Sequence, residues 1–370
     1  MRNELAASKA LTALALVLAL APGTGAWAQA APAFPPGADY AGVAGSAAEN
    51  ARIAGLCGAN RNARDGYAPT PLRPDQTHAP QVKSSQGFTV DVVASLDRSV
   101  GMAVLPDGTL LVSQRAGGLR TVDAKGKVSE PLKGTPEVAG PMGTSNTGPV
   151  LDRDFARNRT LYYGYTTAPP TKGAAPMGHI LKARLSADAR SLEDVATIYE
   201  AANLAPRRIV QARDGTLLIA SAEVASGGPF PQSMSDPRGK ILRIAADGSI
   251  PKDNPFLKTA GLEKGGSSPA LYALGFRDIQ AAALNPATGE LWVGENEPMG
   301  GDELNRIRSG GNYGFPLISY GRENGGGLID AGKTVQPGLE QPVYFWTPSV
   351  APSGLPSMPV RPSPPGRATS

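Results

Sequence analysis

The chain has 370 residues, and its 45 glycines and 35 prolines make up more than a fifth of them, against a typical share of about 12%. A helix interior loses about 1 kcal/mol for each glycine and about 3 kcal/mol for each proline, so this composition excludes a helical bundle and favours short strands joined by turns. The formal net charge is +4 with both signs interspersed, which argues against a nucleic-acid partner. The single cysteine, Cys57, excludes an intrachain disulfide and a cysteine-based zinc or iron–sulfur site.

The N-terminus has the features of a secretory signal peptide. Arg2 and Lys9 precede an apolar run, Leu11–Ala21, and residues 28–30 read Ala-Gln-Ala, the small-x-small pattern of a cleavage site. The apolar run is too short to span a bilayer. We therefore predict a signal peptide over residues 1–30, a periplasmic or secreted protein, and no membrane span.

Residues 31–86 are rich in Ala, Pro, Arg and Asn and follow neither strand nor helix periodicity, so we predict an extended arm. From Gly87 the pattern changes. Leu105–Val128 reads as three strands joined by two turns, and Asp107-Gly108 is typical of a type I′ hairpin. Similar units recur with turn positions 33 to 56 residues apart, at Asp107, Asn158, Asp214, Asp247 and Thr288.

This spacing is near the period of propeller blades, and long helical patterns are missing. The pattern favours an all-β propeller over residues 87–354, with a β-sandwich carrying insertions as the alternative. Residues 355–370 are proline-rich and have no strand pattern, so we predict an irregular tail.

Two long strings, "GKILRIAADGSIPKDNPF" (Gly239–Phe256) and "GGDELNRIRSGGNYGFPLISYG" (Gly300–Gly321), carry a resemblance to a known family. They resemble the soluble aldose sugar dehydrogenases that use pyrroloquinoline quinone (PQQ), the glucose/sorbosone dehydrogenase family, and the resemblance extends over Gly87–Gly354. It implies a six-bladed β-propeller with PQQ over the central channel. It also implies oxidation of an aldose or related sugar aldehyde, with electrons passed to an external acceptor.

The segment "GFRDIQ" contains the predicted cofactor residues Arg277, Asp278 and Gln280. A buried arginine is costly unless paired, so from the local sequence Arg277 either pairs with an internal carboxylate or awaits an anionic ligand. The resemblance implies that all three residues lie at PQQ and that Arg277 is also catalytic. The family pattern is Arg-Asn-Pro-Gln, and here Asp278 replaces the Asn. Because PQQ carries three carboxylates, we expect Asp278 to weaken its binding unless a cation intervenes.

The segment "ENEPMGGDEL" places four acidic residues within nine positions: Glu295, Glu297, Asp302 and Glu303. Such a density of oxygen ligands suits Ca²⁺, but the spacing alone favours the alternative of a solvated acidic loop. The resemblance implies that the carbonyls of Glu297 and Pro298 hold a calcium ion that bridges to the cofactor. It further implies a second, structural calcium at Asp302 and Glu303, with a carbonyl near Tyr313.

Trp346, which would be a core residue in most proteins, and Ser349 are placed beside the planar cofactor by the same resemblance.

This chain departs most clearly from the family pattern at the catalytic base. As hydride moves from the sugar C1 carbon to the quinone, a general base must take the proton of the C1 hydroxyl, and the position of the family's histidine is taken by Leu204. His179 reads as a structural residue in a strand. Glu223 stands where the family has an aspartate, and we retain it as the catalytic candidate if burial raises its pKa.

The basic residues with which the family clamps PQQ from its last blade would fall after Gly354. We therefore predict an incomplete last blade in a divergent, C-terminally truncated member. Two functions remain open: a PQQ- and calcium-dependent sugar dehydrogenase, or a catalytically impaired exported propeller that binds calcium and a sugar or other ligand without turnover. A small sugar is the expected substrate in the first case, and a monomer and a homodimer are equally compatible with the sequence.

Overall fold

The computed structural model describes residues 77–78, 90–138, 146–169, 171–223, 229–257, 269–323, 327–347 and 349–356. The predicted signal peptide lies outside the described residues, as do most of the predicted arm and most of the predicted tail. Among the described residues, no helix is long and apolar enough to cross a bilayer.

Strands dominate the described chain, with one short helix, α1 (Phe155–Asn158), and two 3-10 turns. In chain order the strands are β1 (Thr77–His78), β2 (Ser99–Val104), β3 (Leu110–Gln114), β4 (Leu119–Val122), β5 (Val150–Leu151), β6 (Thr160–Thr167), β7 (Met177–Leu185), β8 (Leu192–Ala202), β9 (Pro206–Gln211), β10 (Leu217–Ser221), β11 (Lys240–Ile244), β12 (Leu271–Leu274), β13 (Ile279–Leu284), β14 (Leu291–Glu295), β15 (Asp302–Arg306) and β16 (Tyr344–Trp346).

These strands form four sheets, each an antiparallel meander of consecutive strands: β2–β4, β5–β8, β9–β12 and β13–β16. Strand β1 adds to the fourth sheet parallel to β16. The first strand of each sheet contacts the first strand of the next, β2 on β5, β5 on β9 and β9 on β13. First strands that meet around a common centre are the radial arrangement of a β-propeller, so the predicted all-β propeller is confirmed. The predicted count of six blades is not, because the described residues form four.

Apolar side chains fill the spaces between neighbouring sheets. In β10, Leu217 and Ile219 face the sheet before, whereas Leu218 and Ala220 face the sheet after. Both faces of each inner sheet are therefore buried, which explains why these strands read as continuous apolar runs. A separate cluster fills the space between the first two sheets, including Leu111, Leu119, Leu161, Tyr163 and Leu181.

The turn between β2 and β3 differs from the predicted hairpin type. The N–H of Gly108 donates to the carbonyl of Leu105 at 2.9 Å, and the N–H of Leu105 donates to Thr109 at 2.8 Å. Gly108 has a φ of 86°, but Asp107 is not among the residues with positive φ. A type I′ turn needs positive φ at both central positions, so that prediction is wrong. Pro106 at the second turn position instead favours a type I turn followed by a left-handed glycine.

Candidate functional site

The predicted site residues gather at one end of the third and fourth sheets. Strand pairing places the start of β9 beside the end of β10, and the start of β13 and β15 beside the end of β14. In an antiparallel meander these strand ends share one edge. We call this edge the polar end, defined by Arg207, Glu223, Arg277, Glu295 and Asp302. The two sheets are joined there by a hydrogen bond of 2.7 Å from the N–H of Glu223 to the carbonyl of Arg277.

Arg277 is half-buried and lies two residues before β13. Its backbone N–H donates to Oε2 of Glu295 at 2.9 Å, and its Nη1 donates to the carbonyl of Asn296 at 2.9 Å. Within the described chain, no carboxylate lies within 4.0 Å of its guanidinium as an ion-pair partner. The first alternative from the local sequence, an internal ion pair, is therefore not what the described residues form. Apart from the bond to Asn296, the Arg277 guanidinium has no hydrogen-bond partner among the described residues, and its fork of N–H groups suits an anionic ligand.

A cationic side chain, Arg207, lies beside Asp278 and can offset its charge. Nε of Arg207 lies 3.1 Å from its Oδ1, and Nε2 of Gln280 donates to its Oδ2 at 2.9 Å. The two charged side chains are only 22% and 18% exposed, for Arg207 and Asp278 respectively. Sequence reasoning missed Arg207 because the partners are 71 residues apart and lie in different sheets.

The acidic segment is buried, so the alternative of a solvated acidic loop is wrong. Glu295, Glu297, Asp302 and Glu303 are 2%, 5%, 0% and 7% exposed. Nδ2 of Asn305 donates to Glu295 at 2.8 Å and to Glu303 at 3.0 Å, so one amide joins two carboxylates. Its Oδ1 is buried and has no hydrogen-bond partner among the described residues.

Burial changes the acidity of these groups. It raises the pKa of Glu295 to about 7, against the lowering effect of the hydrogen bonds from Arg277 and Asn305. Burial, and then repulsion from Glu295, raises the pKa of Glu297 and of Glu303 well above the usual value of a carboxyl. A cation bound nearby would favour the ionised form of these carboxyls and lower their pKa values.

Asp302 is a structural anchor in the described contacts. Its Oδ2 accepts hydrogen bonds from Oγ of Ser349 at 2.7 Å and from the N–H groups of Val350 and Ala351 at 2.8 and 2.7 Å. Its Oδ1 accepts from the N–H of Glu297 at 3.1 Å. The carboxylate thus holds the segment after β16 against the loop after β14. With four donors already on its two oxygens, its predicted role at a second calcium ion stays a prediction.

The carbonyls of Glu297 and Pro298 accept no hydrogen bond from the described residues. The Glu297 carboxyl is held separately, by Oγ of Ser319 at 3.0 Å. No three acidic, histidine or cysteine side chains of the described chain are arranged to hold a metal ion. Backbone carbonyls are a ligand type that Ca²⁺ accepts, and the role of the Glu297 and Pro298 carbonyls as calcium ligands stays a prediction.

Trp346 and Ser349 lie at the polar end. Trp346 pairs with Asp302 across β15 and β16, its carbonyl accepts from Gly301 at 2.8 Å, and its half-buried ring stacks on Tyr344 with centroids 6.4 Å apart. The structure thus brings the two predicted cofactor residues to the acidic segment. Their contact with a cofactor stays a prediction.

Tyr313 is placed differently. Its hydroxyl donates to the carbonyl of Arg306 at 2.7 Å, at the opposite end of β15 from Asp302, which is about 13 Å along the strand. Its ring stacks on Phe276 with centroids 4.7 Å apart. The side chain is therefore part of the core, and the predicted role of its carbonyl is untested by these contacts.

Leu204 stands where a base was expected, and it is fully buried in the apolar cluster between the second and third sheets. His179 lies in β7, stacked on Tyr165 with centroids 4.9 Å apart and with Nδ1 3.2 Å from Glu200. That position is inside the second sheet, as the structural interpretation of His179 predicted. Glu223 is 8% exposed, so the polar end has a buried carboxyl beside the backbone of Arg277.

Positive and negative groups meet at the polar end, since the backbone N–H of Arg277 donates to the Glu295 carboxylate. Arg207 is paired with Asp278, and Arg208 and Arg277 are their neighbours in sequence at the starts of β9 and β13. Burial, together with repulsion from Arg207, lowers the pKa of Arg208 to about 10, so this guanidinium remains charged at neutral pH. The buried acidic segment lies across β14 and β15. The arginines can attract an anion, and the oxygens of the acidic segment are of the kind that a hard cation accepts.

Comparison with known proteins shows the family of the chain. Residues 96–359 match the sequence profile of the Glucose / Sorbosone dehydrogenase family. The chain is similar to the aldose sugar dehydrogenase YliI of Escherichia coli (strain K12), at 34% identity over 269 residues, covering 70% of each chain. Its fold is similar to the crystal structure of the soluble aldose sugar dehydrogenase from Escherichia coli in the apo form, with a TM-score of 0.64, 33% identity, and coverage of 70% of this chain and 75% of that one.

A PQQ-bound aldose sugar dehydrogenase from Streptomyces coelicolor is similar with a TM-score of 0.57 and 27% identity, covering 72% of this chain and 74% of that one. The profile match spans well over half of the chain. The chain therefore belongs to the glucose/sorbosone dehydrogenase family of sugar dehydrogenases.

Proposed function

We propose that the chain oxidises an aldose or a related sugar aldehyde at the polar end, using PQQ and calcium, and passes the electrons to an external acceptor. The observation that carries the proposal is that an arginine and a buried acidic segment meet there. A half-buried Arg277 with a single carbonyl partner among the described residues lies beside fully buried carboxyls. We propose a periplasmic or secreted location, in keeping with an acceptor outside the cytoplasm.

Calcium fits the donors of the acidic segment. The carbonyls of Glu297 and Pro298 have no donor within the described chain, and a hard cation prefers such oxygens. The neighbouring carboxyls of Glu295 and Glu303 are buried with raised pKa values, which a nearby cation would lower towards the ordinary range. Calcium bound by the two carbonyls would therefore relieve the cost of burying these acids.

PQQ fits the cationic side. When bound, its ortho-quinone supplies a two-electron acceptor for hydride from the sugar. Arg277 and Gln280 are the donors that would hold it, and a guanidinium suits a planar carboxylate-bearing group because of its fork of N–H groups. Arg207 offsets the charge of Asp278, so this side of the site stays attractive to an anion. Trp346 and Ser349 complete the set of residues proposed to face the cofactor.

The hydroxyl proton of the sugar requires a base of the chain's own, and Leu204 cannot act as one. We propose that a carboxylate oxygen of Glu223 accepts it. Glu223 is buried, and its N–H is bonded to the carbonyl of Arg277, so its backbone is fixed next to the proposed cofactor residue. A buried carboxylate that faces little water is suited to act as a general base.

The test is reconstitution of the purified protein with PQQ and CaCl₂, followed by aldose-dependent bleaching of a redox dye. We expect dye reduction that needs both additions and is removed by a calcium chelator. A variant of a distant arginine in β7, R184Q, serves as the control and should match the wild type. Retained cofactor absorbance without dye reduction would replace the proposal with a binding protein that lacks turnover. A protein that binds no PQQ would overturn the proposal altogether.

A further inference from the structure

The ion pair of Arg207 and Asp278 connects two blades at the polar end. Arg207 is the second residue of β9, and Asp278 directly precedes β13, the first strand of the next sheet. Their side-chain atoms lie 3.1 Å apart and both side chains are mostly buried. Because β9 packs on β13, the pair lies on the side of these sheets that faces the propeller centre. Its screening by water is weaker than that of a surface pair.

Asp278 also accepts hydrogen bonds through both its side chain and its backbone carbonyl. Its Oδ2 accepts from Nε2 of Gln280 at 2.9 Å, and its carbonyl accepts from the N–H of Asn296 at 2.9 Å. The carbonyl of Asn296 in turn accepts a hydrogen bond from the guanidinium of Arg277. A shift of Asp278 would therefore move both Gln280 and the partner that fixes Arg277.

The charge of Asp278 opposes the proposed ligand of the site. A carboxylate adjacent in sequence to Arg277 cancels much of the attraction that Arg277 offers an anion, since Coulomb interactions in a half-buried site remain large at such distances. Arg207 reverses this effect. Both charges also act on Arg208: burial is the main cause that lowers the pKa of Arg208, Arg207 lowers it further, and Asp278 raises it.

We propose that Arg207 is a positioning residue of the cofactor site: it neutralises Asp278, keeps Gln280 and Arg277 in place, and so allows a polyanionic cofactor to bind. The proposal rests on the proposed function, because the anion in question is PQQ. It assigns Arg207 no contact with the reacting atoms. It predicts that the two members of the ion pair affect cofactor affinity in opposite directions.

The experiment measures the dissociation constant of PQQ by fluorescence titration at a fixed calcium concentration, together with urea unfolding of each cofactor-free variant. R207Q leaves the Asp278 charge uncompensated, so affinity should fall about tenfold. D278N removes that charge, so affinity should rise by about threefold or more. R207K keeps the cation, and the double variant R207Q/D278N removes both charges, so each should stay within about threefold of the wild type.

The matched control is an ion pair on outer strands, Arg184 and Asp194, whose Nε and Oδ2 lie 2.9 Å apart. R184Q and D194N make the same charge changes far from the polar end and should leave affinity unchanged.

The urea unfolding data distinguish a role of Arg207 in positioning the cofactor residues from a role in stabilising the fold alone. A purely structural ion pair would make R207Q and D278N both less stable and both weaker in binding. Loss of affinity in both variants, or no change in either, would overturn the inference while leaving the proposed function intact, provided that the wild type binds PQQ. A wild type that binds no PQQ would overturn the proposed function and this inference with it. Opposite shifts in affinity, with R207K close to the wild type, support Arg207 as the compensating charge.

Discussion

Replacing Asp302 with Asn tests whether this residue holds the polar end together. The amide is nearly the same shape as the carboxylate but has one acceptor oxygen and no charge. In the more favourable orientation, its oxygen would meet Ser349, Val350 and Ala351, and its NH₂ group would face the N–H of Glu297. Three bonds would then lose a charged acceptor and one buried donor would lose its partner.

The expected cost follows from these four bonds. A hydrogen bond to a charged group contributes about 1 kcal/mol more than a neutral one, and an unsatisfied buried donor costs about 1–3 kcal/mol. Part of this loss of stability is offset, because the neutral side chain of D302N avoids the free-energy cost of keeping a charge away from water. We expect D302N to lower the free energy of unfolding by about 3 kcal/mol, which at an m-value of about 3 kcal/mol/M is about 1 M in the urea midpoint.

Urea unfolding monitored by tryptophan fluorescence and by circular dichroism measures the change. S349A removes one of the four donors and should cost about 1 kcal/mol. D107N makes the same substitution in the exposed turn after β2, where Asp107 caps the N–H of Thr109, and should leave the midpoint unchanged. If D302N unfolds at the same urea concentration as D107N, the anchoring role of Asp302 is refuted.

Two further predictions concern titration and proton transfer. Lys240 is fully buried, donates to the carbonyls of Phe230 and Arg238, and burial lowers its pKa from 10.5 to about 7. Because the unfolded chain holds this proton up to a higher pH than the folded one, the free energy of unfolding should rise between about pH 7 and pH 9, by about 2 kcal/mol; K240M should flatten that rise, and an unaltered pH profile would contradict it. For Glu223, E223Q should lower kcat about a hundredfold or more while PQQ affinity stays within about threefold; equal kcat in the variant and the wild type would remove Glu223 as the base.

The fold class followed from local signals. Dense Gly, Pro and Asp turns alternate with short apolar runs, and that alternation directly reflects hairpins and sheets buried on both faces. The pairing of β1 with β16 had no such signal, since residues more than 260 positions apart meet there. The type of the turn at Asp107-Gly108 was predicted wrongly because Pro106, which precedes Asp107, favours a type I turn.

The site was predictable in its residue types and less so in its environment. A run of acidic residues reads identically whether solvated or buried, and only tertiary packing shows that Glu295, Asp302 and Glu303 are enclosed. The compensating Arg207 and the bridging Asn305 were missed for the same reason, because each acts on a partner in another strand. The sequence alone predicts that Leu204 stands where the family has its catalytic histidine. The structure shows that Leu204 is fully buried in an apolar cluster.

The most direct measurement of the central claim is equilibrium binding of PQQ to the purified protein, by absorbance and fluorescence titration, with CaCl₂ or with a chelator. The account predicts one saturable, calcium-dependent site. R277A should weaken it about a hundredfold or more, with an unchanged urea midpoint, since the described side-chain contact of Arg277 is a single hydrogen bond to Asn296. R184Q should bind as the wild type does. Binding that is absent, or that is indifferent to both calcium and Arg277, would contradict the account.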